Sequence, residues 1–199
     1  MTLKEKIESD NNRIPRYGYF KALELLKDRK IKLVIVGQEP YSTGAEEFGK
    51  YVLYNDGLAF SSSNTIKTPH TLKTLQEWFK LADSDRGYKV GKVRNDLSYL
   101  IDRGVFLMNV LWTTSFMKPK THNFPEYYEL TGRILRKIIE KNPEVKIALL
   151  GRVASTMSRF VEGVEYISDI HPAAARYDNN TYEGGLTKLL KGSNLRLTL

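Results

Sequence analysis

The feature that most constrains the fold is the stretch 31–44, where an apolar run ends at a glycine and a polar loop follows at once. Residues 33–36 are Leu, Val, Ile and Val, a pattern typical of a strand buried on both faces of a parallel sheet. Gly37 ends the run. Ligands of open α/β sheets bind beyond the carboxyl ends of such strands, so we expect Gln38, Glu39 and Tyr41 to face a crevice.

Apolar runs predict four strands, at 31–36, 105–109, 145–150 and 165–170. Apolar residues at helical spacing predict five helices around these strands, at 17–27, 69–79, 97–102, 126–141 and 153–160. Strands that alternate with helices predict βαβ units. The expected fold is therefore a three-layer α/β/α domain with a central, mostly parallel four-stranded sheet. We expect one domain over residues 1–199, with 1–15 as a peripheral segment.

Two other segments are predicted to lack long elements. The region after Gly37 contains Gly44, Gly49 and Gly57, which is too much glycine for a long helix. Residues 83–92 are polar and are expected to form a loop.

Each predicted strand ends beside a residue that could serve a ligand. Gln38 follows the first strand, Asn109 ends the second, Gly151 follows the third and His171 follows the fourth. Because parallel strands end at one edge of a sheet, the pattern predicts a single active-site edge.

Composition narrows the class of ligand. The net charge of +8 fits a polyanionic partner, although many basic proteins bind none. The chain has no Cys, and its three His are far apart, so we expect no metal and no cofactor. The first residues are charged and no apolar run approaches the ~20 residues of a membrane span. We therefore expect a cytoplasmic monomer without membrane association.

Five blocks then follow one another along the chain. They are 37–41 (GQEPY), 57–61 (GLAFS), 68–72 (TPHTL), 104–109 (GVFLMN) and 171–176 (HPAAAR). The first resembles the G-Q-D-P-Y-H motif of family 1 uracil-DNA glycosylases, and the last is similar to that family's H-P-S-P-L-S loop. The others resemble, in order, its uracil-stacking segment, its proline-rich loop and the strand that ends in the uracil-reading Asn. The resemblance spans about residues 25–190, nearly the whole chain.

The resemblance implies excision of uracil from DNA by hydrolysis of the N-glycosidic bond after base flipping, the first step of base-excision repair. A carboxylate can stabilise the sugar cation, and a donor at the base carbonyl can stabilise the departing anion. The resemblance gives these catalytic roles to Glu39 and His171. By themselves, the two could equally be a solvated loop carboxylate and a turn His packed beside Pro172. The residues implied to bind uracil are Gln38, Tyr41, Phe60 and Asn109.

The resemblance also implies contacts with single- and double-stranded DNA. The predicted DNA-binding residues are Thr68, Pro69, His70, Thr71, Gly151, Arg152, Pro172, Ala173, Ala175 and Arg176. Residues 118–122 add two Lys and a His, either beside the pocket or as a solvated basic loop. The sequence leaves open whether a protein inhibitor or a replication protein also binds.

Three positions depart from the family pattern. Glu39 stands where the family has Asp, Ser42 where it usually has His, and Ala175 at the position of a Leu that wedges into the vacated base stack. The alternative function is a non-catalytic DNA-binding protein that keeps the fold and the uracil pocket for recruitment or protection. A nucleotide-binding enzyme fits poorly, because the first strand and loop lack both G-x-G-x-x-G and P-loop spacing.

Overall fold

A computed structural model describes residues 1–14, 21–27, 29–175 and 184–199. Its centre is a parallel sheet of four strands, with a two-stranded antiparallel hairpin beside it. The six strands are β1 (Leu33–Gly37), β2 (Gly44–Glu47), β3 (Lys50–Leu53), β4 (Val105–Asn109), β5 (Lys146–Leu150) and β6 (Tyr166–Asp169). The order across the central sheet is β4-β1-β5-β6.

The sequence of each central strand explains its place in the sheet. Every residue of β1 and β4 is buried, as is all of β5 after Lys146, which agrees with strands covered on both faces. Strand β6 alternates between exposed and half-buried residues and forms one edge. In the register of β1 and β4, Gly37 lies opposite Asn109. The last residues of these two strands are therefore neighbours.

Six α-helices are described, and two 3-10 helices accompany them. The α-helices are α1 (Leu3–Glu8), α2 (Lys21–Leu26), α3 (His70–Asp85), α4 (Pro125–Lys141), α5 (Arg152–Ser155) and α6 (Gly185–Leu189). The 3-10 helices are Ser98–Arg103 and Thr156–Phe160. Helix α3 buries Leu72, Leu75, Trp78 and Phe79, the face that its apolar spacing predicts. The flanking helices and the parallel sheet confirm the predicted fold class.

Three local expectations need correction. Residues 44–53 form the β2–β3 hairpin, which the glycines did not reveal because its strands are short and bury only Ala45. The segments at 97–102 and 156–160 are 3-10 rather than α-helical. Helix α3 continues through Asp83, where a polar loop was expected.

Asp83 is fully buried because its carboxylate binds the last residues of the chain. It accepts hydrogen bonds from the backbone N–H of Leu197 at 3.1 Å and of Thr198 at 2.8 Å, and it pairs with Arg86 at 2.8 Å. A buried carboxylate is stable only with such partners. Within the described ranges, no helix has the length and apolar character needed to cross a membrane.

Candidate active site

The predicted residues meet where β1 and β4 end. Gly37 lies beneath the side chains of Asn109 and Phe60, and a Cβ at position 37 would lie 2.7 Å from both Asn109 Oδ1 and Phe60 Cζ. Such a distance leaves no room for any side chain. Gly37 is therefore required for this close approach, a role that the sequence interpretation missed because it treated Gly37 only as a strand end.

A buried carboxylate shapes the loop that presents Phe60. Asp56 accepts hydrogen bonds from the hydroxyl of Ser61 at 2.7 Å and from the backbone N–H of Leu58 and Ser63 at 3.1 and 2.8 Å. Lys21 lies 3.3 Å from the same carboxylate. These contacts support the left-handed backbone of Phe60, whose φ is 62°. Asp56 therefore positions Phe60, although sequence reasoning did not single it out.

Tyr41 connects the Gly37 loop to the Phe60 loop. Its hydroxyl donates to the backbone carbonyl of Phe60 at 3.1 Å, and its ring meets that of Tyr54 edge-on at 5.8 Å. Burial, together with the nearby charge of Asp56, raises the pKa of Tyr41 well above its ordinary value. Tyr41 is thus a neutral phenol that fixes the two loops relative to each other.

The Glu39 carboxylate is bound through both oxygens. Gln38 Nε2 donates to Oε1 at 2.8 Å, and the backbone N–H of Lys120 donates to Oε2 at 2.7 Å. Thr114 Oγ1 adds a third hydrogen bond to Oε2 at 3.3 Å. Two of these donors lie on the segment that follows β4, so the carboxylate is positioned by residues distant in sequence.

The N-terminal segment holds that donor segment in place. The backbone N–H of Ile14 donates to Thr114 O at 3.0 Å, and that of Phe116 donates to Asn12 O at 2.7 Å. His122 is buried, and its Nε2 lies 2.9 Å from Asp10 Oδ2.

Further contacts of His122 and Asp10 hold the N-terminal segment against residues 113–122. Nδ1 of His122 lies 2.8 Å from Thr113 Oγ1. A hydrogen bond from Ser115 is the main reason that the pKa of Asp10 lies below its ordinary value. The expectation that residues 118–122 form a solvated basic loop is therefore wrong for His122.

The imidazole of His171 lies beside the ring of Phe60, and the two ring centroids are 5.7 Å apart. Its Cβ would be 2.7 Å from a Cβ on Gly151, so this glycine allows the imidazole to pack closely. The backbone N–H of Ala173 donates to Nδ1 at 3.2 Å. Burial, and to a smaller extent the charge of Lys120, lowers the pKa of His171 to about 4. At neutral pH the ring is uncharged, and Nε2 carries the proton that it can donate.

The predicted DNA contacts fall into two groups. Pro69, Gly151 and Pro172 are buried, and Ala175 packs against the hydrophobic core. The side chains of His70, Arg152 and Ala173 are exposed, and Thr71 is partly so. Thr68 donates its hydroxyl to Asn95 at 2.8 Å. Arg176 lies outside the described residues.

A cavity of about 20 Å³ lies behind Asn109, beside Pro40, Asn55 and Trp112. This is room for a water molecule and not for a pyrimidine. Among the described side chains, no group of three or more His, Asp or Glu is arranged to bind a metal ion.

Sequence reasoning missed the supporting residues more than the central ones. Gly37, Asp56, Thr114 and Lys120 each hold a predicted site residue, and Asp10 with His122 holds the segment that carries two of them. One signal was available. Asp56 directly precedes Gly57, the first residue of the second block, and an acidic residue before a glycine is typical of a carboxylate that binds turn amides. The long-range links left no such signal.

Comparison with known proteins now gives a family context. The chain is 27% identical over 156 residues to the uracil-DNA glycosylase of Alkaliphilus metalliredigens, covering 77% of this chain and 63% of that protein. It is 29% identical over 183 residues to the uracil-DNA glycosylase of Borreliella burgdorferi, covering 89% of this chain and 76% of that protein. No family model matches the chain.

Solved structures agree on the fold. The mimivirus uracil-DNA glycosylase superposes with a TM-score of 0.68 at 20% identity, over 84% of this chain and 59% of that one. The wild-type UNG of Nitratifractor salsuginis superposes with a TM-score of 0.60 at 17% identity, over 98% and 86% of the two chains. These likenesses establish a common architecture for the central sheet and its helices.

Proposed function

We propose that this chain, which is 27% and 29% identical to two uracil-DNA glycosylases over most of its length, hydrolyses the N-glycosidic bond between uracil and deoxyribose in DNA. The observation that carries the proposal is the convergence of Gly37, Phe60, Asn109 and His171 at one edge of the sheet. The amide, the aromatic ring and the neutral imidazole supply complementary contacts for a pyrimidine.

The two catalytic residues would stabilise opposite charges. Cleavage of the C–N bond builds positive charge on the sugar and negative charge on the base. Glu39 would stabilise the sugar cation and orient the attacking water, which its fixed carboxylate can do without reorganising. The Nε2–H of His171 would donate to the base carbonyl on which negative charge develops. A neutral donor suits this role because it needs no proton uptake before reaction.

Asn109 would select the base. Its side-chain amide offers one donor and one acceptor, which match the O4 and N3–H edge of uracil and mismatch cytosine. Phe60 would stack on the ring, Tyr41 would exclude a methyl group at C5, and Gln38 would bind the O2 edge. Asn109 is 9% exposed, so an unpaired amide there would be costly and a bound base would satisfy it.

DNA would bind around this edge and deliver the base by flipping, because a base within a duplex cannot reach the site. The exposed residues His70, Arg152 and Ala173 and the partly exposed Thr71 would contact the strand, together with the buried turns that support them. Ala175 packs against the core and is too short to fill a base stack. Duplex substrates should therefore be processed less well than single strands.

One assay tests the proposal directly. A labelled oligonucleotide with a single uracil is incubated with the protein in EDTA and then cleaved with alkali at abasic sites. We expect cleavage at the uracil position and none with the matched thymine oligonucleotide. Asn109→Asp should lower the rate of uracil excision. An unchanged rate in this variant would contradict a base-reading role for Asn109. Binding without any excision would favour the non-catalytic alternative.

A further inference from the structure

A second concave surface lies away from the candidate active site. It is a cleft of about 960 Å³ lined by residues 29–32, 141–146 and 193–194. The first two segments lead into β1 and β5, so the cleft lies at the amino edge of the sheet. Five-residue strands span about 17 Å, which separates the cleft from the carboxyl edge where Asn109 and Glu39 lie.

Positive charge dominates this cleft. Its lining side chains include five cations and one carboxylate: Arg29, Lys30, Lys32, Lys141, Lys146 and Glu144. Arg29 pairs with Asp102, and Lys146 pairs with Glu165 at 2.6 Å. Both of these cations are therefore neutralised by acidic partners of the same chain.

The remaining three lysines are different. Lys30, Lys32 and Lys141 are exposed, and no carboxylate within the described part of the chain pairs with them. Backbone contacts hold the cleft walls together, because the N–H of Lys146 donates to Lys32 O at 2.9 Å. The N–H of Ile31 donates to the side chain of Asn142, also at 2.9 Å. Three lysines that have no ion-pair partner among the described residues thus stand on a fixed frame.

We propose that this cleft binds the phosphodiester backbone of a second nucleic-acid segment, while the first occupies the carboxyl edge. Exposed lysines are single, mobile charges, each of which binds weakly. Their contributions add when one polyanion releases counterions at all of them together. Asn194 is also exposed and adds an amide of the kind that contacts phosphate oxygens.

The chemistry of the cleft favours a polymer over a small anion. A site for free phosphate surrounds the ion with several fixed donors, whereas these ammonium groups line an open surface. Lysine contacts to phosphate carry no sequence information. The cleft should therefore bind DNA of any sequence and hold a second strand or duplex near the site.

The test is a bridging assay with uracil-free DNA, so it does not depend on catalysis. One duplex is fixed to beads, and a second, fluorescent duplex is captured only if a protein molecule binds both. The variant K30E/K32E/K141E reverses the three free charges, and K30Q/K32Q/K141Q removes them. The control K89E/K92E/K137E makes the same charge change at exposed lysines that line neither site. Circular dichroism and size-exclusion chromatography check that each variant folds and keeps the oligomeric state of the wild type.

We expect the wild type and the control to capture the second duplex, and the cleft variants to lose at least ten-fold in capture. If the cleft variants keep binding to the first duplex, both sites exist. If they lose all DNA binding, the cleft binds DNA but the proposed carboxyl-edge site does not. Unchanged capture overturns the proposal, as does equal loss by the control. Pyrophosphate and unlabelled duplex are then compared as competitors at equal total charge. If pyrophosphate releases the second duplex as readily as the unlabelled duplex does, the preference for a polymer is overturned.

Discussion

The two candidate catalytic groups are held in place by different parts of the chain. Besides its neighbour Gln38, the Glu39 carboxylate depends on donors 75 and 81 residues away, at Thr114 and Lys120. The His171 ring depends on Ala173, two residues away, and on close packing with Gly151. The carboxylate is therefore sensitive to changes in the segment after β4, whereas the imidazole is sensitive to its own turn and to Gly151. The following predictions test this contrast, from the largest expected effect to the smallest.

Loss of the Glu39 charge should have the largest effect. Glu39→Gln should lower single-turnover uracil excision by about 10³-fold, since no anion then faces the sugar cation. Glu39→Asp should also slow excision, by up to ~10²-fold, because the shorter side chain cannot reach Lys120 from an unchanged backbone. Excision rates in EDTA measure both. A Gln variant as fast as the wild type would contradict the catalytic role, and a faster Asp variant would contradict the positioning by Lys120.

A side chain at position 37 should lower activity by displacing Asn109 and Phe60. Gly37→Ala would place Cβ 2.7 Å from Asn109 Oδ1 and from Phe60 Cζ, so both must move. We expect a loss in kcat/KM of about 10²-fold, a size typical of misplacement by about 1 Å. Gly49→Ala is the control, because a Cβ there meets no atom within 4 Å. The φ of Gly49 is 74°, so strain from a left-handed backbone acts only on the control. Equal activity of the two variants would contradict the close approach.

The N-terminal link should affect the carboxylate without affecting the imidazole. Asp10→Asn weakens the contacts with His122 and Ser115 that hold the 113–122 segment. We expect kcat to fall by about ten-fold, equivalent to ~1.4 kcal/mol, with little change in KM. Asp102→Asn is the control, because it removes a surface ion pair with Arg29. If the two Asn variants have the same kcat, the N-terminal link does not position Glu39.

The pH dependence should show that His171 is neutral. Its folded-state pKa of about 4 lies below the ordinary value of 6.5, so between these values the unfolded chain binds more protons. The contribution to stability is complete above pH 6.5 and is lost as the pH falls toward 4. Thermal unfolding from pH 4 to 8 measures it, and His171→Gln should remove this part of the slope. An excision profile with an inflection near pH 6.5, absent in His171→Gln, would contradict the neutral ring.

The sequence by itself determined the sheet and the edge that carries the candidate site. The apolar runs at 33–36, 105–107 and 147–150 are typical of buried strands, and the polar residues after parallel strands share one edge of the sheet. Gln38, Glu39, Asn109 and His171 were therefore predictable from local pattern together with the five-block resemblance. The prediction of helix α3 and its apolar face also needed no tertiary information.

Only the tertiary structure decided how the site is held. The Asp10–His122 contact joins residues 112 positions apart, and no local pattern selects such a partner. The short β2–β3 hairpin buries only one of its strand residues, so burial leaves no periodic signal in its sequence. The cleft at the amino edge needs the fold as well, because its lysines are scattered along the chain until parallel strands bring their starting points together. Local pattern predicts burial, and three-dimensional packing chooses among distant polar partners.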